Sequence, residues 1–389
     1  MSGPLRLALA HAIHYPVRSC LLAAAVFVSV LLPVATAAIF GAFERNIVAR
    51  AASTPLVAGA PGSRFDLVMS SLYFRDVPIR PLTMKDWRSL SDSGLADAIP
   101  LNTHFTARGT PLVATTPEYF EFRSLAPREG TLPRRIGEVV IGASAAARLQ
   151  LRAGDSIFSD QRELFDLTKP PAVKLRVAGV LALRGTPDDD AVFADIRTAS
   201  VLEGLAHGHA DAGRDVPGSL ILDRTDESVV VSEELVDYNE FNASNFAAFH
   251  AHGDPDALPI TSIIFLPRDA KSASILKART NSGDSRQVIV PEEAVRELLG
   301  YVARIRRLLE VLSVVLVVFT AVMVGLVTAL SIRVRAREIE TLRLIGASRA
   351  TIAAIFVWEI LIVVLIGAAF AASLAALLAY HPPDLVKLL

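Results

Sequence analysis

Three stretches of the chain carry apolar residues almost without interruption. Between Arg18 and Glu44 lie 25 residues with no Asp, Glu, Lys or Arg, and between Glu310 and Arg333 lie 22 more. From Ala350 to Tyr380 there are 31 residues with one charge, Glu359. The hydrocarbon core of a bilayer takes about 20 apolar helical residues. The pattern therefore predicts transmembrane helices at 19–43, within 291–333 and at 350–380. The run Ala35-Thr36-Ala37 resembles a signal-peptide cleavage site. The apolar run continues to Phe43, however, and favours an uncleaved anchor.

Ahead of the second span the pattern is helical and one-sided. Pro291 suits a first-turn position, with Glu292 and Glu293 beside it. Val295, Leu298, Leu299, Val302, Ile305 and Leu309 follow at spacings of three and four. One helix over 291–333 would be roughly 65 Å long at 1.5 Å per residue. That exceeds a bilayer, so a stalk should project from the membrane. At the other end, Leu5–Tyr15 puts Leu5, Leu9 and Ala12 on one face and Arg6 on another. Residues 1–18 read as an amphipathic helix on the cytoplasmic leaflet.

Residues 44–290 are mixed. Strand-like runs are Arg64–Ser70, Val139–Ile141, Leu175–Ala182, Ser219–Leu222, Ser228–Val231 and Ile260–Leu266. Helical runs are Met84–Leu90, Ser144–Leu149 and Asp269–Arg279, and 183–191 and 203–218 read as loops. Without strict alternation of strand and helix, α+β is the expected class. Arg333, Arg335, Arg337, Arg343 and Arg349 crowd the short segment 334–349, which places it in the cytoplasm. The N-terminus is then inside, with 44–290 and the tail 381–389 outside. The expected fold is a membrane protein: an α-helical transmembrane bundle with a large α+β extracytoplasmic domain inserted between spans one and two.

Composition sharpens this only a little. The 389 residues are 52% hydrophobic and 20% charged, with a mean hydropathy of +0.43. A net charge of −1 offers no field for nucleic acid. The single cysteine, Cys20, excludes an intramolecular disulfide and reads as a small buried apolar side chain.

Catalytic signatures are missing from the sequence. The dipeptide Gly-Lys never occurs, so there is no P-loop; no His precedes Glu, and no G-x-S-x-G is present. Asp188–Asp190 is a run of three carboxylates whose mutual repulsion suggests a solvated loop. Two copies of one histidine pattern stand out: His207-Gly-His209-Ala-Asp211 and His250-Ala-His252-Gly-Asp254. Imidazoles two apart on a strand share a face and suit joint metal ligation. The alternatives are polar surface loops or contact with a substrate. Glu359, shallow on the cytoplasmic side of span three, needs a partner, which arginines of the 334–349 loop can supply. Gly367, Ala371 and Ala375 recur every four residues and permit close helix approach, a natural face for a second copy.

The segment Arg337-Glu338-Ile339, then Leu342, then Leu344-Ile345-Gly346-Ala347-Ser348-Arg349, resembles the REI–L–LGAS signature of the MacB/FtsX-like permeases. Locally it describes a short helix ended by Gly346, with Ser348 capping the next. Thr116–Phe120, Glu129-Gly130, Gly137–Gly142, Ala146–Leu149, Leu151–Ile157 and Ala191–Thr198 are similar to that family's extracytoplasmic core domain. The resemblance implies a permease that is not itself an enzyme and binds no cofactor of its own. ATP and Mg would belong to a separate ABC ATPase, which pushes on the 337–349 segment. Implied further are a bacterial inner-membrane location, a second permease copy or paralogue, and a periplasmic adaptor or cell-wall hydrolase as partner. Regulation of such a hydrolase without transport, and a metal-export system, are the alternative functions. The family normally has a fourth span. These residues carry three, through loss, truncation or a helix supplied by a partner.

Overall fold

The computed structural model describes residues 3–161, 172–208, 221–224, 229–231, 240–241, 249–251 and 254–380. The chain divides into two compact units, 1–47 with 297–389, and 48–296. In chain order the α-helices are α1 (Gly3–His14), α2 (Pro16–Ala52), α3 (Arg64–Tyr73) and α4 (Met84–Ser91). Then come α5 (Pro117–Phe122), α6 (Ala143–Leu149), α7 (Ile196–Leu202) and α8 (Ala270–Asn281). The last three are α9 (Pro291–Val334), α10 (Ala336–Leu344) and α11 (Arg349–Tyr380).

Three helices among the described residues are long and apolar enough to cross a membrane, at Pro16–Gly41, Pro291–Val334 and Arg349–Leu377. Leu22 and Val26 of α2 pack with Val324 of α9 and Val363 of α11. Arg18 meets Ser331 and Glu359, whereas a Cβ at Gly367 would touch Val26. Moving up α2 thus moves up α11 and down α9, so α2 and α11 run together and α9 runs against them. The first helix packs on α11 through a face that includes Ala8, which is fully buried. Leu9, which the sequence places on the face toward the leaflet, is 41% exposed. Cys20 is exposed too, against the sequence expectation.

The other unit is built on strands. They begin with β1 (Leu56–Gly59), β2 (Leu82–Thr83), β3 (Ala96–Ala107), β4 (Thr110–Thr115) and β5 (Pro127–Gly130). Next are β6 (Glu138–Ile141), β7 (Ser156–Phe158), β8 (Lys174–Leu181), β9 (Val192–Asp195) and β10 (Ala206–Gly208). Then β11 (Ile221–Arg224), β12 (Val229–Val231), β13 (Phe249–Ala251), β14 (Pro259–Ile260), β15 (Ser262–Pro267) and β16 (Gln287–Ile289) follow. One mixed sheet runs β16-β1-β15-β3-β4-β9-β6-β8-β5, with β7 also on β8. Only β4–β9 and β6–β8 in it are parallel. Val139, Ile141, Leu175, Val177, Val192 and Phe265 form its buried centre. This is an α/β domain around a mixed sheet.

One expectation fails here, and one hairpin has no counterpart in the sequence reading, each for a visible reason. Arg64–Ser70 is helical: Ser63 accepts the Asp66 N–H as an N-cap, and every residue of α3 from Leu67 to Tyr73 is buried. The β3–β4 hairpin was missed because its two-residue turn is Arg108-Gly109, with φ of 51° and 70°. Asn-Gly usually marks such a turn. Here a distant residue, Asp160, accepts both turn N–H groups at 2.9 and 2.7 Å.

Candidate functional site

The helical unit holds one buried charge cluster. Glu359 is 5% exposed and accepts from Arg335 at 2.6 Å on one oxygen and from Arg18 at 2.8 Å on the other. Arg18 also donates to the Ser331 hydroxyl at 2.5 Å. Arg335 is buried, lies 5.5 Å from the Tyr15 ring and 5.8 Å from that of Phe356, and is the N-cap residue of α10. One carboxylate of α11 therefore relates α2, the end of α9 and the start of α10. A carboxylate buried to this extent persists only if paired and hydrogen-bonded.

The α10 segment presents its apolar residues in two directions. Ile339 and Leu342 are half-buried, whereas Leu344 is 83% and Ile345 76% exposed. Arg337, Glu338 and Arg349 are exposed, and His11 of α1 lies 3.9 Å from Glu338. The helix ends in a Schellman motif: Ala347 N–H donates to Leu342 O and Gly346 N–H to Arg343 O, both at 3.0 Å. Gly346 has φ +95°, and the Ser348 hydroxyl accepts the Thr351 N–H at the start of α11. Both caps sit where the sequence places them.

The small residues of α11 do not form a free face. A Cβ on Gly367 would lie 2.7 Å from the Ala23 carbonyl oxygen of α2 in the same chain. Ala371 and Ala375 are buried at 0% and 4% exposure. Intramolecular packing uses the stripe that the sequence offered to a second copy.

A second buried cluster lies in the sheet unit, and the sequence reading missed it. Arg50, in the last turn of α2, donates to both oxygens of Asp188 at 2.7 and 2.8 Å and to the Tyr119 hydroxyl at 3.0 Å. The Tyr119 hydroxyl donates to Asp188 at 2.7 Å. Arg50, Tyr119 and Asp188 are all buried. Arg123 covers the group, its guanidinium bonded to the Ser53 and Thr54 hydroxyls and lying over the Phe122 ring. Asp188 and Asp189 are therefore not a solvated acidic loop. Asp189 accepts the N–H groups of Arg184, Gly185 and Thr186, and Asp190 pairs with Arg148. The three carboxylates diverge to separate partners, which removes the repulsion that argued for solvation. Gly142 permits this: a Cβ there would lie 2.3 Å from the Asp188 carbonyl oxygen.

Burial opposes the Asp188 carboxylate, but the charge and hydrogen bonds of Arg50, with the Tyr119 bond, outweigh it and hold its pKa below the ordinary value. Burial, then the nearby Asp188 charge, pushes Tyr119 up, so the phenol stays protonated and donates. Arg123 is lowered by burial and by the Arg50 charge.

Among the described residues no three His, Cys, Asp or Glu side chains converge as a metal site. His209, Asp211 and His252 lie outside the described residues. His207 is half-buried in β10, His250 lies in β13, and Asp254 caps the short turn Pro255–Ala257.

Residues 19–237 match the model of the MacB-like periplasmic core domain, and residues 310–381 that of the FtsX-like permease C-terminal domain. The chain is similar to the periplasmic region of MacB from Actinobacillus actinomycetemcomitans, at 12% identity and TM-score 0.38, covering 66% of this chain and 96% of that one. It is also similar to the extracellular domain of the noncanonic ABC-type transporter YknZ from Gram-positive bacteria, at 9% identity and TM-score 0.32, covering 61% and 99%. No curated protein matches it.

Proposed function

This chain belongs to the family of MacB/FtsX-like ABC transporter permeases, and from that premise we propose that it couples ATP hydrolysis in a separate ATPase subunit to movement of its extracytoplasmic domain. Permeases of this family are membrane components of ABC transporters and work with an ABC ATPase. The coupled movement here exports or extracts a substrate outside the membrane rather than passing it through a wide aqueous pore. The mainly apolar spans support that reading, since such a pore needs polar lining.

The observation that carries the reading is the joint at Arg335. The residue that starts α10 is held by Glu359, and Glu359 is shared with Arg18 of α2. A push on α10 is then transmitted to two spans at once. Leu344 and Ile345 form the apolar contact offered to the ATPase, because they protrude where Ile339 and Leu342 are turned inward.

Affinity purification of the full-length protein in mild detergent tests this. An ABC ATPase should accompany the wild type and be lost from the Leu344→Asp, Ile345→Asp double variant, while thermal unfolding of the permease is unchanged. Retention of the ATPase by the double variant would show that α10 is not the contact. Glu359→Gln should keep the ATPase bound but change the coupling between the permease and hydrolysis by about 0.5–2 kcal/mol, up to roughly thirtyfold.

A further inference from the structure

A cavity of about 370 Å3 opens beside one edge of the large sheet. Small-molecule sites begin at about 300 Å3. Its walls belong to the sheet unit: the end of α8, strand β16, the start of α3 with the segment before it, and the first turn of α9. Side-chain bonds fix those walls. The Asn281 amide donates to Val288 O at 3.0 Å, and its oxygen accepts the Val288 N–H at 2.6 Å. Gln287 Nε2 donates to Ala60 O at 2.8 Å and so holds the segment that leads through Pro61 to Arg64. Strand β16 ends the sheet order, and the outward groups of an edge strand are ordinarily open to a further strand. Asn281 occupies those of Val288, which argues against an added strand and for a small ligand.

Five charged side chains line the cavity, and three of them are engaged within the chain. Lys277 meets Glu293 at 3.1 Å. Arg286 donates to the Ser89 hydroxyl at 2.8 Å and lies 3.5 Å from Asp86. The other two, Arg64 and Asp284, are exposed. Among the described residues neither side chain forms a hydrogen bond or an ion pair, and they do not pair with each other. A single exposed charge is ordinary. One of each sign in the same cavity, unpaired, is the complement of a ligand that carries both. The guanidinium offers a fork of donors to a carboxylate or phosphate, and the carboxylate accepts from a primary ammonium.

We propose that this cavity binds a small zwitterion, with Arg64 taking its anionic group and Asp284 its ammonium. Free amino acids, short peptides and the phosphoethanolamine group share that chemistry. Glu293 and Ala294 put the first turn of α9 in the wall, so the bound molecule touches the root of the helix that forms the second span. The ATPase contact at α10 has no part in this site.

Isothermal titration calorimetry of the full-length protein in detergent tests this, with the dipeptide Ala-Ala and with O-phosphoethanolamine as probes. At least one probe should bind, at one site per chain. Arg64→Gln and Asp284→Asn should each weaken that binding about tenfold or more, the worth of one hydrogen bond to a charged group. Both side chains are exposed, so the variants should melt with the wild type. Glu118→Gln, which removes an exposed charge outside the cavity, should leave binding unchanged. Binding of Ala-Ala alone would mark the source as a free amino acid or peptide, and binding of phosphoethanolamine alone would mark it as headgroup chemistry. Failure of both probes to bind, equal binding by wild type and both variants, or acetate binding as tightly as the zwitterions would overturn the proposal.

Discussion

Two buried arginine–carboxylate clusters, one in each unit, are built on different charge balances. Arg50 and Asp188 match one guanidinium to one carboxylate through two parallel hydrogen bonds, with Tyr119 satisfying the remainder. Arg18 and Arg335 instead divide the two oxygens of Glu359 between them. The first arrangement is a lock. It fixes the last turn of α2 against the Pro187–Asp190 turn, and removing either partner strands a charge in a low-dielectric interior. The second is a joint. Three helices are related through a single residue, and the surplus cation leaves Arg18 29% exposed at its edge. The count of partners on a buried carboxylate thus separates an anchor from a linkage between elements.

The largest effect should come from breaking the lock. Arg50→Ala leaves Asp188, 1% exposed, without its counter-ion, and should cost about 3–5 kcal/mol. Thermal unfolding of the single variants and of Arg50→Ala, Asp188→Ala together measures the coupling between the two residues. Additive losses would mean that the pair is not a lock.

Gly367→Leu comes next. Its side chain must enter the α2 backbone at Ala23, and overpacking of this kind costs about 1–3 kcal/mol. An unchanged melting temperature in detergent would show that α2 and α11 are not in such close contact.

Acid should then test the Arg50–Asp188 pair. Asp188 has its pKa depressed in the folded state. Its contribution is complete above the unfolded carboxylate value and is lost as pH falls through the folded one. Between about pH 5 and pH 2, wild type should lose more of its outer-unit stability than Asp188→Asn does. Parallel acid limbs for the two proteins would contradict the assignment.

The smallest change expected is at Gly346. Nothing lies within 4 Å of a Cβ there, so Gly346→Ala tests backbone conformation alone and should cost about 1 kcal/mol. Comparing its melting temperature with that of Gly367→Leu separates the demand for a positive φ from the demand for space.

The legibility of the two clusters in the sequence follows from their surroundings. Glu359 is the only charge in 31 residues, so its cost in an apolar setting announces that a partner exists. Asp188 stands among polar residues, where nothing local distinguishes a carboxylate facing water from one facing Arg50, 138 positions earlier. A faint signal was available. Arg50 follows Arg45 just beyond an apolar run, and Thr186-Pro187 with Asp189 has the form of a capping box, a fold-back rather than an open loop. The hairpin at Arg108-Gly109 was hidden in the same way, because its turn is supplied with an acceptor by Asp160.

By itself the sequence determined the three apolar helices, the long α9, the α10 segment with its Gly346 and Ser348 caps, and the family. Each depends on local periodicity, on the cost of charge in hydrocarbon, or on short-range backbone geometry. Tertiary structure alone decided which carboxylates are buried and that Gly367 packs on α2. Those outcomes depend on residues tens or hundreds of positions apart. Their pairing is an outcome of sheet register and helix packing, which no local window of the chain contains.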